Sequence, residues 1–285
     1  MFDTHTHLQF KAFEKNVDEV IQSAKKAGVE KMIVVGTNLE TSKNAIALAQ
    51  KHEGLYASIG LHPHHIFSYC HPELDSGSSQ TPQTQLEEVI LNLESLISNH
   101  KVIAIGETGL DRHIYQKTHY QDYEISEEFI NLQKQFFIAQ IKLAIKHQKS
   151  LIIHNRKATD ELLEILAQNW DPFLENHSVF HCVEPDKKIL DFALKHKVFI
   201  GIDGDITYDK DKQKFIKMVP LENLVLETDS PYFLPKTKEL KAALLNEPKN
   251  LATIAEQIAL LKQVTLEKLV DTTTTNSYLL YRLKA

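Results

Sequence analysis

The sequence of 285 residues has few cysteines and no long apolar segment, and each shortage excludes a class of protein. Its two cysteines, Cys70 and Cys182, are too few for a disulfide framework and form no CxxC pair, which is typical of a reducing compartment. No apolar run reaches the length of a membrane span, and the first residues lack the basic start and apolar stretch of a signal peptide. We therefore predict a cytoplasmic protein without a membrane partner.

The charge balance gives no general attraction to a polyanion. The formal net charge is −6, and the chain is 42% hydrophobic and 25% charged, as in an ordinary globular protein. A nucleic acid or another polyanionic substrate would therefore have to be held by local positive groups or by metal ions.

Short β-branched runs alternate along the chain with stretches of helical periodicity, which is the pattern of repeated βα units around a parallel sheet. The last two helices are predicted at residues 251–261 and 266–280. Eight strands are predicted, at residues 1–3, 31–35, 55–59, 102–106, 151–153, 179–180, 198–202 and 224–226. This pattern predicts an α/β fold, a (β/α)8 TIM-type barrel with its active site at the C-terminal ends of the strands. A doubly wound open sheet is the alternative, although no glycine-rich phosphate loop follows the first strand.

One segment, residues 69–85, interrupts this alternation. It is polar, rich in turn-forming residues and without periodicity, and it precedes a helix predicted at residues 86–97. We predict a flexible insertion on the C-terminal face of the barrel. No other stretch has the composition of a linker, so residues 1–285 are predicted to form a single domain.

Two histidines one residue apart stand near the N-terminus. In an extended chain His5 and His7 point to the same face and can bind one metal ion through ring nitrogens. Asp3 lies on that face as well and is expected to accept the N–H of a ligating ring. An isolated pair of this kind is more often a pair of surface residues, so the interpretation depends on ligands elsewhere in the chain.

Further ligand types stand at the ends of four other predicted strands. Because a barrel gathers its strand ends around one pocket, these side chains are expected to converge with His5 and His7. They are Glu107 after the fourth strand, His154 after the fifth, His181 after the sixth and Asp229 after the eighth.

Four histidines and two carboxylates exceed what one tetrahedral ion needs, and they suit two divalent ions that share a bridging carboxylate. Glu107 is the expected bridge, because each of its two oxygens can bind one ion. Asp229 is expected to accept the proton of a metal-activated water that attacks the substrate. The first ion is expected to have His5, His7 and Asp229 as its other ligands. The second ion is expected to have His154 and His181.

Six short motifs carry these residues. In chain order they are DTHTH, GLHPHH, IGETGLD, LIIHNR, FHC and ETDSPY. Their order and spacing resemble those of the TatD-type metal-dependent deoxyribonucleases, members of the amidohydrolase-like superfamily of barrels. The resemblance runs nearly end to end and implies two divalent ions and magnesium-dependent hydrolysis of DNA, typically from a 3′ end. Mn²⁺ and Zn²⁺ are alternative metals. The resemblance also implies that Glu107 bridges the two ions, at the position where the wider superfamily often uses a carbamylated lysine.

Two stretches depart from the pattern of that family. The family usually carries an arginine before its NEP motif. In this chain the motif begins at Asn246, and the preceding residues, 241–245, contain no arginine. Lysines could replace it as point charges, without the bidentate geometry that arginine offers a phosphate. The candidates are Lys236, Lys238, Lys241 and Lys249. In addition, residues 183–185 replace the small glycine-containing turn that usually follows the ligand at His181.

Substrate contacts are expected from side chains close to the ligands. His62 and His64 follow the third strand, and His62 could hydrogen-bond a phosphate oxygen or the leaving group. Arg156 and Arg112 each stand a few residues beyond a ligand and could contact a phosphate, Arg156 being the better placed. Asp111 is expected to fix the loop that presents Glu107.

The prediction is a nuclease that acts on single-stranded DNA ends and needs no obligate protein partner. Two alternatives remain open. The same metal pair could hydrolyse a small amide, ester or lactone, or the barrel could have lost catalysis and serve as a binding protein. A nuclease should expose a cationic or aromatic track beside the metals, whereas a small-molecule enzyme should enclose its pocket.

Overall fold

The computed structural model describes residues 1–70, 81–118, 120, 122–236 and 245–284, and its centre is one parallel sheet of eight strands. Each strand pairs with the next one along the chain. The strands are β1 (Phe2–Thr6), β2 (Lys31–Val35), β3 (Leu55–Ile59), β4 (Val102–Asp111), β5 (Ser150–Arg156), β6 (Ser178–Phe180), β7 (Phe199–Ile202) and β8 (Leu224–Leu226).

The sheet closes on itself between its first and last strands. The backbone N–H of Asp229 donates to the carbonyl of His5 at 2.9 Å, and that of His7 donates to the carbonyl of Ser230 at 2.8 Å. Thr6 and Ser230 also form a parallel bridge. The predicted (β/α)8 barrel is thus confirmed, and the alternative of an open sheet is wrong.

Helices follow the strands and cover the outside of the barrel. Several of them start at side chains that accept backbone N–H groups, as at Asn38, which forms a capping box with Thr41, and at Ser126. The helices are α1 (Val17–Lys26), α2 (Leu39–Lys51), α3 (Phe67–Cys70), α4 (Pro82–Leu96), α5 (Glu127–His147), α6 (Thr159–Gln168), α7 (Lys187–His196), α8 (Lys210–Met218), α9 (Leu251–Lys262) and α10 (Leu266–Leu280). None of these described helices combines the length and the apolar character that a membrane span requires.

The buried side chains form two main layers, one on each face of the sheet. Along β5, Leu151 and Ile153 pack in the layer that includes the helices, whereas Ile152 between them belongs to the second layer. This alternation is the two-residue period of a strand. The second layer also contains Leu280 and Tyr281, so the end of α10 packs against the inner face of the barrel.

Most strand and helix positions follow the prediction, but β1 and β5 each run three residues further than expected, to Thr6 and Arg156, and the largest difference is in β4. It was predicted to end at Gly106, whereas it continues to Asp111, with an irregular register against β5 between Ile105 and Thr108. Glu107 therefore lies within a strand rather than in a loop. Its backbone is correspondingly better fixed than that of a loop residue.

The predicted insertion at residues 69–85 lies only partly within the described residues. Tyr69 and Cys70 end α3, and Pro82 to Gln85 form the first turn of α4, capped by Thr81. The prediction that these positions lie in an irregular segment is therefore wrong, because a proline at the first helical position and a threonine cap start the helix earlier. Residues 71–80 lie outside the described residues, and the flexibility of this part stays a prediction.

Gly60 allows the chain at Glu107 to cross the end of β3. A Cβ atom on Gly60 would lie 2.6 Å from the carbonyl carbon of Gly106, which is too close for any other residue. The backbone N–H of Glu107 thereby reaches the carbonyl of Gly36, beyond the end of β2, at 3.1 Å. This crossing places the Glu107 side chain over the middle of the barrel.

We expect the barrel to depend on Tyr281, whose buried hydroxyl donates to the carbonyl of Thr4 at 3.0 Å. Tyr281→Phe should lower the free energy of unfolding by about 1 kcal/mol through loss of this bond. Tyr281→Ala should lower it by about 3–5 kcal/mol through the added cavity. Urea unfolding followed by circular dichroism measures both. Leu279→Ala, on the exposed side of α10, is the control and should change stability little; equal losses at the two positions would contradict the prediction.

Candidate metal centre

The six predicted ligands meet at the C-terminal ends of the strands, around the carboxylate of Glu107. They come from five strands or the residues directly after them, and all except His154 are buried. Groups of them lie close enough to bind a common ion: His5, His7 and Asp229 form one group, and Glu107, His154 and His181 form another.

The first group is compact. The Nε2 atoms of His5 and His7 are 3.3 Å apart, and each lies within 4 Å of Asp229 Oδ1, at 3.8 and 3.3 Å respectively. Two nitrogens that bind one ion at about 2.1 Å in tetrahedral geometry stand about 3.4 Å apart. The Nδ1 atom of His7 lies 3.0 Å from the carbonyl of Val35, which leaves Nε2 as the available ligand atom.

The two oxygens of Glu107 face different histidines. Oε2 lies 3.4 Å from His5 Nε2 and 3.9 Å from His7 Nε2. Oε1 lies 2.8 Å from His154 Nδ1 and 3.6 Å from His181 Nε2. Glu107 therefore stands between the two groups with one oxygen turned to each, which is the position that a bridging carboxylate requires.

A divalent cation fits the donor atoms of this centre. Among the described residues, Asp229 Oδ1 is buried and has no hydrogen-bond partner, and the same is true of His5 Nδ1. A buried carboxylate oxygen without a donor is unfavourable unless a positive charge faces it. Imidazole nitrogens and carboxylate oxygens are ligands that divalent metal ions accept.

When no cation is bound, electrostatics within the centre favour an ionised Glu107 and protonated His154 and His181, whereas burial lowers the pKa of His5 and His62. Burial raises the pKa of Glu107, but the surrounding histidines outweigh it and hold that pKa well below its ordinary value. Burial lowers the pKa of His154, yet hydrogen bonds to Asp111 and Glu107 raise it to about 9. Burial also lowers the pKa of His181, but the negative charges of Glu227 and Glu107 outweigh it and raise this pKa to about 10. Cation binding would therefore release protons from these rings.

A further buried carboxylate, Glu227, orients His181. Its Oε1 lies 3.0 Å from His181 Nδ1 and accepts the backbone N–H of Cys182 at 2.6 Å. A Cβ atom on Gly201 would lie 2.3 Å from Glu227 Oε2, so only glycine leaves room for this carboxylate. The carboxylate fixes which nitrogen of His181 faces the centre. This role was not predicted from the sequence, although Glu227 stands two residues before Asp229 in the ETDSPY motif.

The predicted role of Asp3 is wrong. Its carboxylate accepts the hydroxyl and the backbone N–H of Thr228, at 2.6 and 2.9 Å, and the backbone N–H of His5 at 3.3 Å. It therefore joins β1 to the residues after β8 and does not contact a ligating ring. Buried carboxylates at the end of a strand can serve the backbone as well as a ring, and the spacing alone does not distinguish them.

The two histidines predicted to contact substrate lie in different places. His62 Nε2 is 3.4 Å from Glu107 Oε1, and its ring stands edge-on to that of His154 with centroids 4.3 Å apart. His62 also forms a potential ligand group with Asp111 and His154. His64 lies farther out, where its Nε2 is 3.0 Å from the hydroxyl of Thr118.

The two arginines also differ. The guanidinium of Arg156 lies over the ring of Tyr115, 5.4 Å from its centroid, and donates to its hydroxyl at 3.4 Å. Tyr115 in turn donates to Asp111 at 2.7 Å, so these groups form a chain that leads to His154. Arg112 instead donates to Glu161 and Glu127, at 2.6 and 2.9 Å, and holds α5 and α6 together.

The lysines proposed in place of the missing arginine are only partly described. Lys236 lies over the ring of Tyr208, with Nζ 3.9 Å from its centroid. Lys249 pairs with Glu247 at 2.7 Å. Lys238 and Lys241 lie outside the described residues. In the segment that replaces the glycine turn after His181, Glu184 accepts the backbone N–H of Lys157 at 3.1 Å.

A family sequence model, related sequences and solved structures all match this chain over nearly its whole length. The sequence model of the family described as TatD related DNase matches residues 2–282. The chain is 32% identical over 288 residues to the 3′-5′ ssDNA/RNA exonuclease TatD of Erwinia tasmaniensis, covering 99% of this chain and 100% of that protein. It is 30% identical to the uncharacterized metal-dependent hydrolase YabD of Bacillus subtilis, covering 99% of both. The solved structure of YJJV, a TatD homolog from Escherichia coli K12, is similar with a TM-score of 0.80 and 26% identity, covering 100% of this chain and 98% of that one.

We expect Glu227→Ala to weaken metal binding by about 10- to 100-fold, because His181 would lose the partner that fixes its ring. Isothermal titration of the metal-free protein with Mn²⁺ or Zn²⁺ measures this directly. Glu222→Ala, an exposed acid just before β8, is the control and should bind metal as the wild type does. Unchanged affinity in Glu227→Ala would refute the role assigned to this carboxylate.

Proposed function

The chain belongs to the family of TatD-related DNases, and on this basis we propose that it hydrolyses phosphodiester bonds at single-stranded nucleic-acid ends with two divalent metal ions. Relatives that match it over nearly their whole length are named as 3′-5′ exonucleases of single-stranded DNA and RNA. We carry that polarity and that substrate class over to this chain. DNA is the proposed physiological substrate.

The observation that supports this function best is the division of the Glu107 carboxylate between two sets of ligands. One oxygen faces His5 and His7 within 4 Å, and the other faces His154 and His181. We assign Glu107 as the bridge, with His5, His7 and Asp229 on one ion and His154 and His181 on the other. Mg²⁺ is the proposed metal, and Mn²⁺ and Zn²⁺ fit the same donor atoms.

Bound at these residues, divalent ions would supply Lewis acidity, which would polarise a phosphoryl oxygen and lower the pKa of a water in the site. Asp229 is the proposed acceptor of the proton from the attacking water. Its Oδ1 atom faces the imidazoles of His5 and His7 and would bind the ion, which leaves Oδ2, 3.9 Å from His181 Nε2, to accept the proton. A side chain in this position acts as a general base without a serine or cysteine nucleophile.

Side chains around the ligands are proposed to hold the phosphate. His62, 3.4 Å from Glu107, can donate to a phosphate oxygen or to the leaving group. Arg156 lies on the same face of β5 as His154, two residues farther along the strand, and its guanidinium is the proposed arginine contact for a phosphate. His64 is assigned to the rim. Arg112 has its guanidinium fork bonded to two glutamates, so we assign it to stability rather than to substrate.

We expect the purified protein with Mg²⁺ or Mn²⁺ to shorten a labelled single-stranded DNA from its 3′ end. A chelator or Glu107→Ala should abolish this, and Asp229→Asn should lower kcat by about 10²- to 10⁴-fold through loss of the proton acceptor. Gel analysis of 5′-labelled oligonucleotides measures the activity. If the protein leaves DNA and RNA intact but hydrolyses members of a lactone, ester or amide panel, the nuclease assignment is wrong. The small-molecule hydrolase would then be the better assignment.

We expect the two ions to respond differently to loss of single ligands. His154→Ala should lose one ion, because His154 serves only one side of Glu107, whereas Glu107→Ala should weaken both sites. Elemental analysis of the dialysed proteins gives the number of ions per chain. Gln148→Ala, at the end of α5 and far from the centre, is the control. Equal metal content in wild type, His154→Ala and Glu107→Ala would refute the two-ion arrangement.

A further inference from the structure

Two aromatic side chains flank His7 on the side of the centre away from His154, and neither is used by the chemistry proposed above. The ring of Phe10 lies nearly parallel to that of His7, with centroids 4.6 Å apart. The ring of Tyr232 stands edge-on to His7 at 6.2 Å and is 52% exposed. A large aromatic surface thus opens to solvent directly beside a buried polar centre.

The backbone around Tyr232 is firmly held although its ring is exposed. Its N–H donates to the carbonyl of Asp229 at 2.8 Å, and the carbonyl of Pro231 accepts the N–H of Asn246 at 3.1 Å. The side chain of Asn246 also donates to the carbonyl of Thr228 at 2.8 Å. A ring on a fixed backbone loses little conformational freedom when a flat ligand stacks on it.

A positive charge lies a few residues farther along the same rim. Lys236 is exposed, and its ammonium is placed over the ring of Tyr208 at 3.9 Å. The backbone N–H of Lys236 donates to the hydroxyl of Thr207 at 2.9 Å, which fixes where the side chain starts. The chain packs tightly here, since a Cβ atom on Gly204 would lie 1.9 Å from the carbonyl oxygen of Phe233.

On the side of His154, the aromatic ring of Tyr115 is less exposed than that of Tyr232. There the ring of Tyr115 lies beneath the guanidinium of Arg156 and against the ring of His64, with centroids 4.7 Å apart in the latter pair. Its hydroxyl is already bonded to Asp111. Tyr115 is therefore engaged in the internal contacts of its loop, whereas Tyr232 presents its ring outward.

We propose that Tyr232 and Lys236 form a binding subsite for the unpaired nucleotide next to the scissile phosphodiester, with the base stacked on Tyr232 and its phosphate against Lys236. This rests on the function proposed above and specifies how the substrate is held. With a net charge of −6 the chain has little general attraction for a polyanion, so stacking and a local cation would add to the binding that the metal ions and Arg156 provide. Stacking accepts every base, which suits degradation without sequence preference.

The test compares two single-stranded oligonucleotides that differ only in their last two nucleotides, which are natural in one and abasic in the other. Wild type and Tyr232→Phe should have a kcat/KM about 5- to 100-fold higher for the natural end, because each ring can stack on a base. Tyr232→Leu should lose that preference and cleave the abasic end as the wild type does. Parallel DNA and RNA versions show which polymer supplies the base.

The role of Lys236 has a different signature, because both substrates contain the phosphate. Lys236→Ala should raise KM for the natural and the abasic end alike and should reduce the slope of log KM against log salt concentration by about 1. Lys214→Ala is the matched control, since Lys214 is an exposed lysine of α8 that is already paired with Asp211 at 2.8 Å. Unchanged KM and slope in Lys236→Ala would remove the phosphate contact from the subsite.

The outcomes separate this inference from the function on which it rests. Equal cleavage of natural and abasic ends by the wild type would overturn the subsite and leave the nuclease assignment intact. A preference that persists in Tyr232→Leu would place the base elsewhere and overturn the role of Tyr232. No cleavage of either oligonucleotide by the wild type would overturn the nuclease assignment, and the subsite with it.

Discussion

The rest of the centre depends on a constraint at Glu107, a carboxylate removed from water at the middle of the barrel. An isolated buried charge is strongly unfavourable, so Glu107 must be surrounded by groups of opposite charge. His154 and His181, whose pKa values are raised, supply positive charge within 4 Å, and the rings of His5 and His62 each lie 3.4 Å from the carboxylate. The constraint at Gly60 is steric, because a Cβ atom there would lie 2.6 Å from the carbonyl carbon of Gly106, where the chain reaches Glu107. Divalent cations would take over the compensating role of the protonated rings.

How much the sequence predicts depends on whether a feature is local or comes from packing. β-branched runs and helical periodicity predict the barrel, and the rule that strand ends converge is enough to bring His5, His154 and Asp229 together. The extension of β4 beyond Gly106 depends on contacts with β5, which no short sequence window contains. Glu227 was missed for a related reason, because its partner His181 lies beyond a different strand and its space depends on Gly201.

The surroundings of the two ligand groups differ in character. Around His154, polar side chains form a hydrogen-bonded chain through Asp111 and Tyr115 to Arg156. Around His7 the neighbours are aromatic and reach solvent at Tyr232. Fixed polar groups are suited to positioning charge, whereas an open aromatic surface tolerates ligands of varied shape. With the proposed substrate, one end of the site would position the phosphate while the other would stack any base.

The closure of the barrel at His5 and Asp229 has a consequence for how the protein is made. The backbone bonds that join β1 to the residues after β8 are also the bonds that bring these two ligands together. During synthesis the histidines emerge from the ribosome at the start, but Asp229 emerges only after β8, the last strand, has been made. The centre therefore cannot assemble on a nascent chain that lacks β8, and a ribosome that stalls earlier releases a protein without this hydrolytic site.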